Sequence, residues 1–451
     1  MGNYLKLFEN HAQYEEYTAN TGNIIPAVSH CIEEEELHFD EKIDYSKQYL
    51  TFVVNADGSL KFSGSTTANT VSYSKDEGQT WTTANSATVI SVTTGDKIMW
   101  KGSCSPQSSK GIGKFSGSTD VKYDVEGNAM SLLFNDNFNG LKNLTGKEFA
   151  FYGLFSGDTN IVNSENLSLP ATTLTDSCYM SMFRGCTSLA TAPELPATIL
   201  SKYCYSSMFV GCTSLTTAPE LPATTLANNC YWSMFSGCTS LATAPELSVT
   251  TLAKDCYYGM FFKCTNLTTA PELPATTLAS GCYSNMFAGC TSLATAPELP
   301  ATTLASDCYS SMFNGCTSIT IAPELPVTTL ADSCYYSMFS NCTSLTTAPE
   351  LPATTLVNGC YTYMFSNCTS LTTAPELPAT TLESFCYREM FRGCTNINYI
   401  KCLATNVSAY SCTTDWVNGV AASGTFKKAA SMTSWTTDAN GIPTGWTVQD
   451  A

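Results

Sequence analysis

A chain of 451 residues carrying a net charge of −17 is long enough for more than one unit with its own core. That charge argues against a nucleic-acid partner, because phosphate binding needs concentrated Lys and Arg, and only 21 are present. Charged residues make up 13% of the chain, so the surface must rely on Thr, Ser, Asn and Tyr, and no apolar run of about eighteen residues offers membrane insertion.

The opening "MGNYLKLFENHAQYEEYTAN" has no secretion-signal core, and Lys6 stands where a myristoylation signal needs Ser or Thr. The expectation is synthesis in a cytoplasm without export by that route. Residues 1–45 read as an N-terminal docking module of short α/β character. In it "LKLFENHAQYEEY" forms an amphipathic helix with Leu7, Phe8, His11 and Tyr14 on one face, and "AVSHCIEEEELHFD" forms two strands around an acidic turn. All three histidines (His11, His30 and His38) fall here.

Residues 46–126 alternate as strands do, in "YLTFVVNADGSLKFSG", "TVSYSKDEGQTWTT" and "ATVISVTTGDKIMWKG", with Asp57-Gly58 and Gly95-Asp96 as turns. A small β-sandwich-like spacer is expected. Within it "SKDEGQTW" (Ser74–Trp81) resembles the Asp-box of sialidase propellers. The resemblance implies a hairpin in which Asp76 satisfies turn amides and Trp81 packs beneath. The box occurs once, and neither the further blades nor the arginine cluster of a sialidase is visible.

Residues 127–419 carry an internal repeat. Cys178, Cys204, Cys230, Cys256, Cys282, Cys308, Cys334, Cys360 and Cys386 are 26 residues apart, each followed at C-x7-C spacing by Cys186, Cys212, Cys238, Cys264, Cys290, Cys316, Cys342, Cys368 and Cys394. Degenerate copies flank them. "FAFYGLFSGDTNIVNSENLSLPATTL" (149–174) has lost both cysteines, and "CTTDWVNG" (412–419) places Trp416 and Val417 where Met and Phe stood. Residues 420–451 read as a C-terminal β cap, with Lys427 and Lys428 placed to discourage edge pairing.

One copy, Cys204–Asn229, shows how a coil is expected to fold. Cys204 and Met208, like Tyr205 and Phe209, are four apart, the spacing of a short helix turned to the core. Gly211 follows as a left-handed helix stop. "CTSLTTAPEL" then runs as a short strand with Leu215 inward, broken near Pro219, and Leu226 returns to the core. The fold class is therefore a solenoid of about ten coils with a short helix and a short strand each. At about 4.8 Å per coil it makes a rod about 50 Å long.

The cysteines read as buried free thiols acting as small apolar residues. Disulfides between neighbouring coils and metal sites are the alternatives, the latter disfavoured because the repeats hold no histidine. Glu194, Glu220, Glu246, Glu272, Glu298, Glu324, Glu350 and Glu376 form an acidic ladder that must face water, as a solvated edge or a calcium-attracting stripe. The tyrosine column from Tyr179 to Tyr387 is expected to cover the seam between coils with its hydroxyls at the surface, or to stack carbohydrate. Threonine columns read as ordinary strand residues or a flat binding face. Two positions vary between copies, after the tyrosine and before the Gly or Asn. There Trp232, Tyr258, Phe262 and Tyr336 are expected to form an exposed aromatic patch, a candidate ligand surface, with drift as the alternative.

"MFxGCTSLTTAPELPATTL" resembles the BspA-like leucine-rich repeats found in gut anaerobes, their prophages and their phages. The resemblance implies adhesion and host-surface binding without catalysis. Ala218 and Pro219 depart from the plain leucine pattern where a strand would run. No nucleophile motif or phosphate loop stands out, so no enzyme and no cofactor is expected. Two readings remain. The first is a structural phage virion protein, a tail or head fibre made in the host cytoplasm. It would bind other virion proteins through the N-terminal module and a host-surface glycan or protein through the repeats, with homo-oligomerisation left open. The alternative is a bacterial cell-surface adhesin with BspA-like repeats that binds host or matrix proteins.

Overall fold

The computed structural model describes residues 43–451. The expected docking module, with its helix, acidic turn and three histidines, lies outside the described residues except for its last three positions. Residues Tyr45–Ala451 form one compact unit.

Eight strands come first: β1 (Leu50–Ala56), β2 (Gly58–Gly64), β3 (Val71–Ser74), β4 (Thr82–Ala84), β5 (Ile90–Val92), β6 (Lys97–Gly102), β7 (Gly113–Gly117) and β8 (Lys122–Asn128). One sheet has the order β4-β3-β6-β1-β8-β9, where β9 is Leu167–Ser168 of the first coil, and a second has the order β5-β2-β7. The alternation read in the sequence sets the faces. In β6, Ile98 and Trp100 are buried while Lys97 is exposed. Phe52 of β1 meets Trp100 at 5.4 Å and Phe115 of β7 at 4.8 Å. Phe115 in turn stacks at 5.7 Å on Phe155 of the first coil. The strand region and the array thus share one aromatic core, and β8, which pairs in parallel with β9, runs across the expected boundary at 126.

The Asp-box segment closes as a tight turn. Asp76 Oδ1 accepts bonds from the Thr80 amide at 2.9 Å and the Ser74 hydroxyl at 2.7 Å, and Oδ2 accepts the Thr80 hydroxyl at 2.6 Å. Trp81 donates through Nε1 to the Gly78 carbonyl at 3.0 Å and packs edge-on against Tyr49.

In the array the expected helix is absent. The segment Cys204–Cys212 is a run of turns, and its amides divide in alternation. Those of Cys204, Ser206, Met208, Val210 and Cys212 donate to carbonyls three residues back, at 3.0–3.3 Å. Those of Tyr203, Tyr205, Ser207, Phe209 and Gly211 donate to Asn228, Cys230, Trp232, Met234 and Ser236 of the next coil, at 2.7–3.2 Å. Each backbone donor along the ribbon is used, half inside the coil and half between coils. Tyr203, Ser207 and Gly211 have φ of +56°, +56° and +72°. A left-handed residue every fourth position cannot belong to an α-helix. Gly211 is left-handed as expected, as the third such residue in a ribbon rather than a helix stop.

The expected strand of each coil also shrinks, to isolated parallel bridges such as Thr243 with Thr269 and Thr269 with Thr295. The "APELP" prolines offer no amide for a ladder. The copy that starts at Cys386 has "NINYIKCLATN" in place of the proline segment. There a true strand forms, β10 (Tyr399–Cys402), which pairs in parallel with β11 (Thr425–Lys428), itself parallel to β12 (Thr447–Asp450). β11 is therefore the central strand, so Lys427 and Lys428 are not edge guards. Lys428 Nζ binds Asp450 at 2.7 Å. Trp416, where a methionine stood, is fully buried and stacks on Tyr387 and Trp435.

Candidate functional site

The four-residue period of the turn ribbon sorts side chains by twos. In the copy at Cys178, Cys178-Tyr179 and Met182-Phe183 are buried, whereas Met180 is half-buried and Arg184 exposed. The inward residues form columns. Phe183, Phe209 and Phe235 stack ring on ring at 5.5 and 5.6 Å, within 5° of parallel. The tyrosines do the same, Tyr205 on Tyr231 at 5.9 Å. The tyrosines from Tyr179 to Tyr387 are only 1–2% exposed. Their expected role at the seam, hydroxyls in water and rings open to carbohydrate, is corrected: they are core. Parallel stacking hides both ring faces, and aromatic area buried this way contributes on the order of 2–3 kcal/mol per ring.

The cysteines also lie inside. The 21 described are free and buried. The second cysteine of each copy donates its thiol to the phenylalanine carbonyl of the coil before, as Cys212 to Phe183 and Cys238 to Phe209, both at 3.1 Å. Burial pushes the Cys178, Cys230 and Cys290 thiols up to about 12. A buried thiol of that kind is a packing group with a weak donor, unsuited to nucleophilic work.

What remains free is the outward pair of each turn. Several small residues at the variable positions are buried, as Ser206, Ser284, Ala288 and Ser366 are, while Ser236 and Ser310 are half-buried. Aromatic residues at or beside these positions form two contact groups. Trp232, 37% exposed, meets Tyr258 edge-on at 5.3 Å and Tyr203 at 6.3 Å. Phe262 lies under the Lys263 ammonium at 5.1 Å. Tyr336 does not join them. It packs against Tyr363 at 5.6 Å, and Arg388 lies 5.9 Å from the Tyr363 ring and 5.8 Å from Phe385. Beneath this second group Glu389 is buried and accepts the Tyr363 hydroxyl at 2.8 Å, with Arg392 on its other oxygen. Burial alone would raise the Glu389 carboxyl, but the bonds from Arg392 and Tyr363 hold it below its ordinary value. Tyr203, Tyr363 and Phe385 were not singled out in the sequence. Each sits at a left-handed position that other copies fill with Ser, Asn, Asp or Gly, and an aromatic there was the available signal.

The eight glutamates of the ladder are exposed, and Glu376 binds Lys401 at 2.9 Å. Grooves between consecutive coils run along this face, lined by Pro193, Glu194, Pro219 and Glu220 in one case and by Pro271, Glu272, Pro297 and Glu298 in another. Among the described residues no group of three or more His, Cys, Asp or Glu is placed to hold a metal, and no helix is long and apolar enough to cross a membrane.

The model of the BspA type leucine rich repeat region matches residues 159–293, 202–346 and 333–413, in six copies. The chain belongs to the BspA-type leucine-rich-repeat family. No curated protein and no solved structure matches it. BspA-type repeats point to a surface or adhesion-type repeat protein, in a family that typically serves as a non-enzymatic interaction scaffold. In this BspA-type chain the repeat consensus "CYxxMFxGC" reads as the buried half of the turn ribbon, and the variable positions as its free edge.

Proposed function

We propose that the chain is a structural virion protein, a tail or head fibre, that attaches to a host-surface glycan or protein along the variable edge of its repeats. In this reading some ten coils stack as a solenoid rod on a β-sandwich spacer, and residues 1–45 dock it to other virion proteins. The observation that carries the attachment role is the sorting of side chains. Packing fixes the inward pair of every turn and leaves large aromatic and cationic residues on one edge, with Trp232 in contact with both Tyr203 and Tyr258. Free, buried cysteines support folding in a reducing compartment, which favours a particle assembled in a cytoplasm over a secreted adhesin.

The test pairs attachment with location. A full-length Trp232→Ser/Tyr258→Ser variant with an unchanged circular dichroism spectrum should bind host cells at least about tenfold more weakly. Equal binding would refute the edge as the attachment surface. Mass spectrometry of purified phage particles should find the chain. If it is found only in a bacterial envelope, the adhesin reading stands instead.

A further inference from the structure

In a chain of net charge −17, one pocket is lined by cations alone among ionisable groups bearing charge at neutral pH. It opens where the strand region meets the first two coils, with a volume of about 380 Å³, within the range of small-molecule sites. Lys110 and Lys114 reach it from the loop before β7 and from β7, and Arg184 from the first cysteine-bearing coil. Among the described residues none of the three forms an ion pair. Asp158, a carboxylate within electrostatic reach of Lys114, is 3% exposed, and its Oδ2 accepts the Tyr123 hydroxyl at 2.5 Å. The pocket's own lining thus holds three cations and no carboxylate.

The walls are specific. Ser156 and Arg184 occupy the same variable position in consecutive coils, the column that continues through Val210, Ser236 and Phe262 and neighbours the column of Trp232 and Tyr258. Gly157 has φ +74°, and a Cβ placed there would fall 3.6 Å from Lys114 Nζ. Ser63 and Ser156 bring hydroxyls, that of Ser65 being bonded to Gly111 and Asn69, and Tyr152 brings a half-buried ring.

We infer that this pocket binds the negatively charged sugar of a saccharide, a ring carrying a carboxylate or sulfate. A guanidinium takes such a group in two parallel bonds and the lysines add point charge. The serines suit sugar hydroxyls and the tyrosine suits a ring face. The inference deepens the edge reading above, since the saccharide's continuation would lie toward Tyr203 and Trp232.

Calorimetric titration of the full chain with sialyllactose, lactose and inorganic sulfate tests it. Sialyllactose should bind, lactose should bind at least about tenfold more weakly, and Arg184→Gln and Lys110→Gln should each lower sialyllactose affinity about tenfold with the melting temperature unchanged. Lactose binding as tightly as sialyllactose, an affinity untouched by both variants, or no binding of sialyllactose would overturn the inference. Sulfate binding as tightly as sialyllactose would overturn the saccharide class in favour of a free-anion site. Sialyllactose binding that persists in Trp232→Ser/Tyr258→Ser supports the pocket whatever that variant does to cell attachment, so the two readings fail separately.

Discussion

Phe287 lies midway along the array and is fully buried, with Phe261 and Phe313 each 5.8 Å away and nearly parallel. In Phe287→Ala the backbone keeps its bonds. The amide still donates to Met312 at 3.0 Å, and the carbonyl still accepts the Cys290 amide and the Cys316 thiol. The loss is therefore the ring itself, about 3–5 kcal/mol for Phe→Ala in a core. The upper half of that range is expected, because the inter-coil ladder holds Phe261 and Phe313 apart and keeps the cavity from collapsing. Urea unfolding would measure the loss, and native-state hydrogen exchange would locate it. Protection should fall in the mutated coil and its two neighbours and hold elsewhere, as nearest-neighbour coupling requires. A loss under about 1 kcal/mol, or protection that falls evenly along the whole array, would refute stacking as the source of stability.

Two further outcomes follow from the same ribbon. Burial raises the Cys178, Cys230, Cys290, Cys342 and Cys394 thiols to about 12, against about 8.5 in an unfolded chain. Their contribution is complete below the unfolded value and is lost as pH rises through the folded one, at about 1.4 kcal/mol per thiol per pH unit. Cooperative alkaline unfolding is expected within that window, with the thiols unreactive to disulfide reagents at about pH 8; rapid labelling of the native array would contradict it. Lys263 has φ +57° where six of the other cysteine-bearing copies hold glycine and two hold asparagine, and a Cβ on Gly289 of the next coil would lie 3.0 Å from its Cγ. Lys263→Gly should stabilise the chain by about 0.5–1 kcal/mol in urea unfolding and Lys263→Ala should not; equal effects would remove the backbone explanation.

Much of this architecture could be read from residue spacing. The 26-residue step, the inward Met and Phe, and a left-handed glycine after them all follow from repetition, because a position that packing fixes is written the same way each time. The helix was misread for a physical reason. Cys204 and Met208 share a face whether the chain turns once per 3.6 residues or makes a β-turn every four, and a nine-residue segment cannot separate those periods. The decisive mark was Tyr203, Ser207 and Gly211 at equal intervals, visible as a pattern only when their φ values are known. Pro219 was read correctly as a ladder breaker, and the proline-free copy ending in β10 shows the strand it suppresses. An amphipathic tyrosine reads as hydroxyl-outward, whereas ring-on-ring stacking between coils outweighs hydration of the tip. The basic pocket was invisible because Lys110, Lys114 and Arg184 come from two regions that only the shared aromatic core brings together.

The alternation of backbone donors has a consequence for heredity. Since each coil passes every second amide forward to an identical acceptor row, a unit can be gained or lost between two others with no bond left unmatched. Unequal crossing-over between such uniform stretches of gene would then alter length and reshuffle the free edge at a stroke, leaving the interior grammar intact.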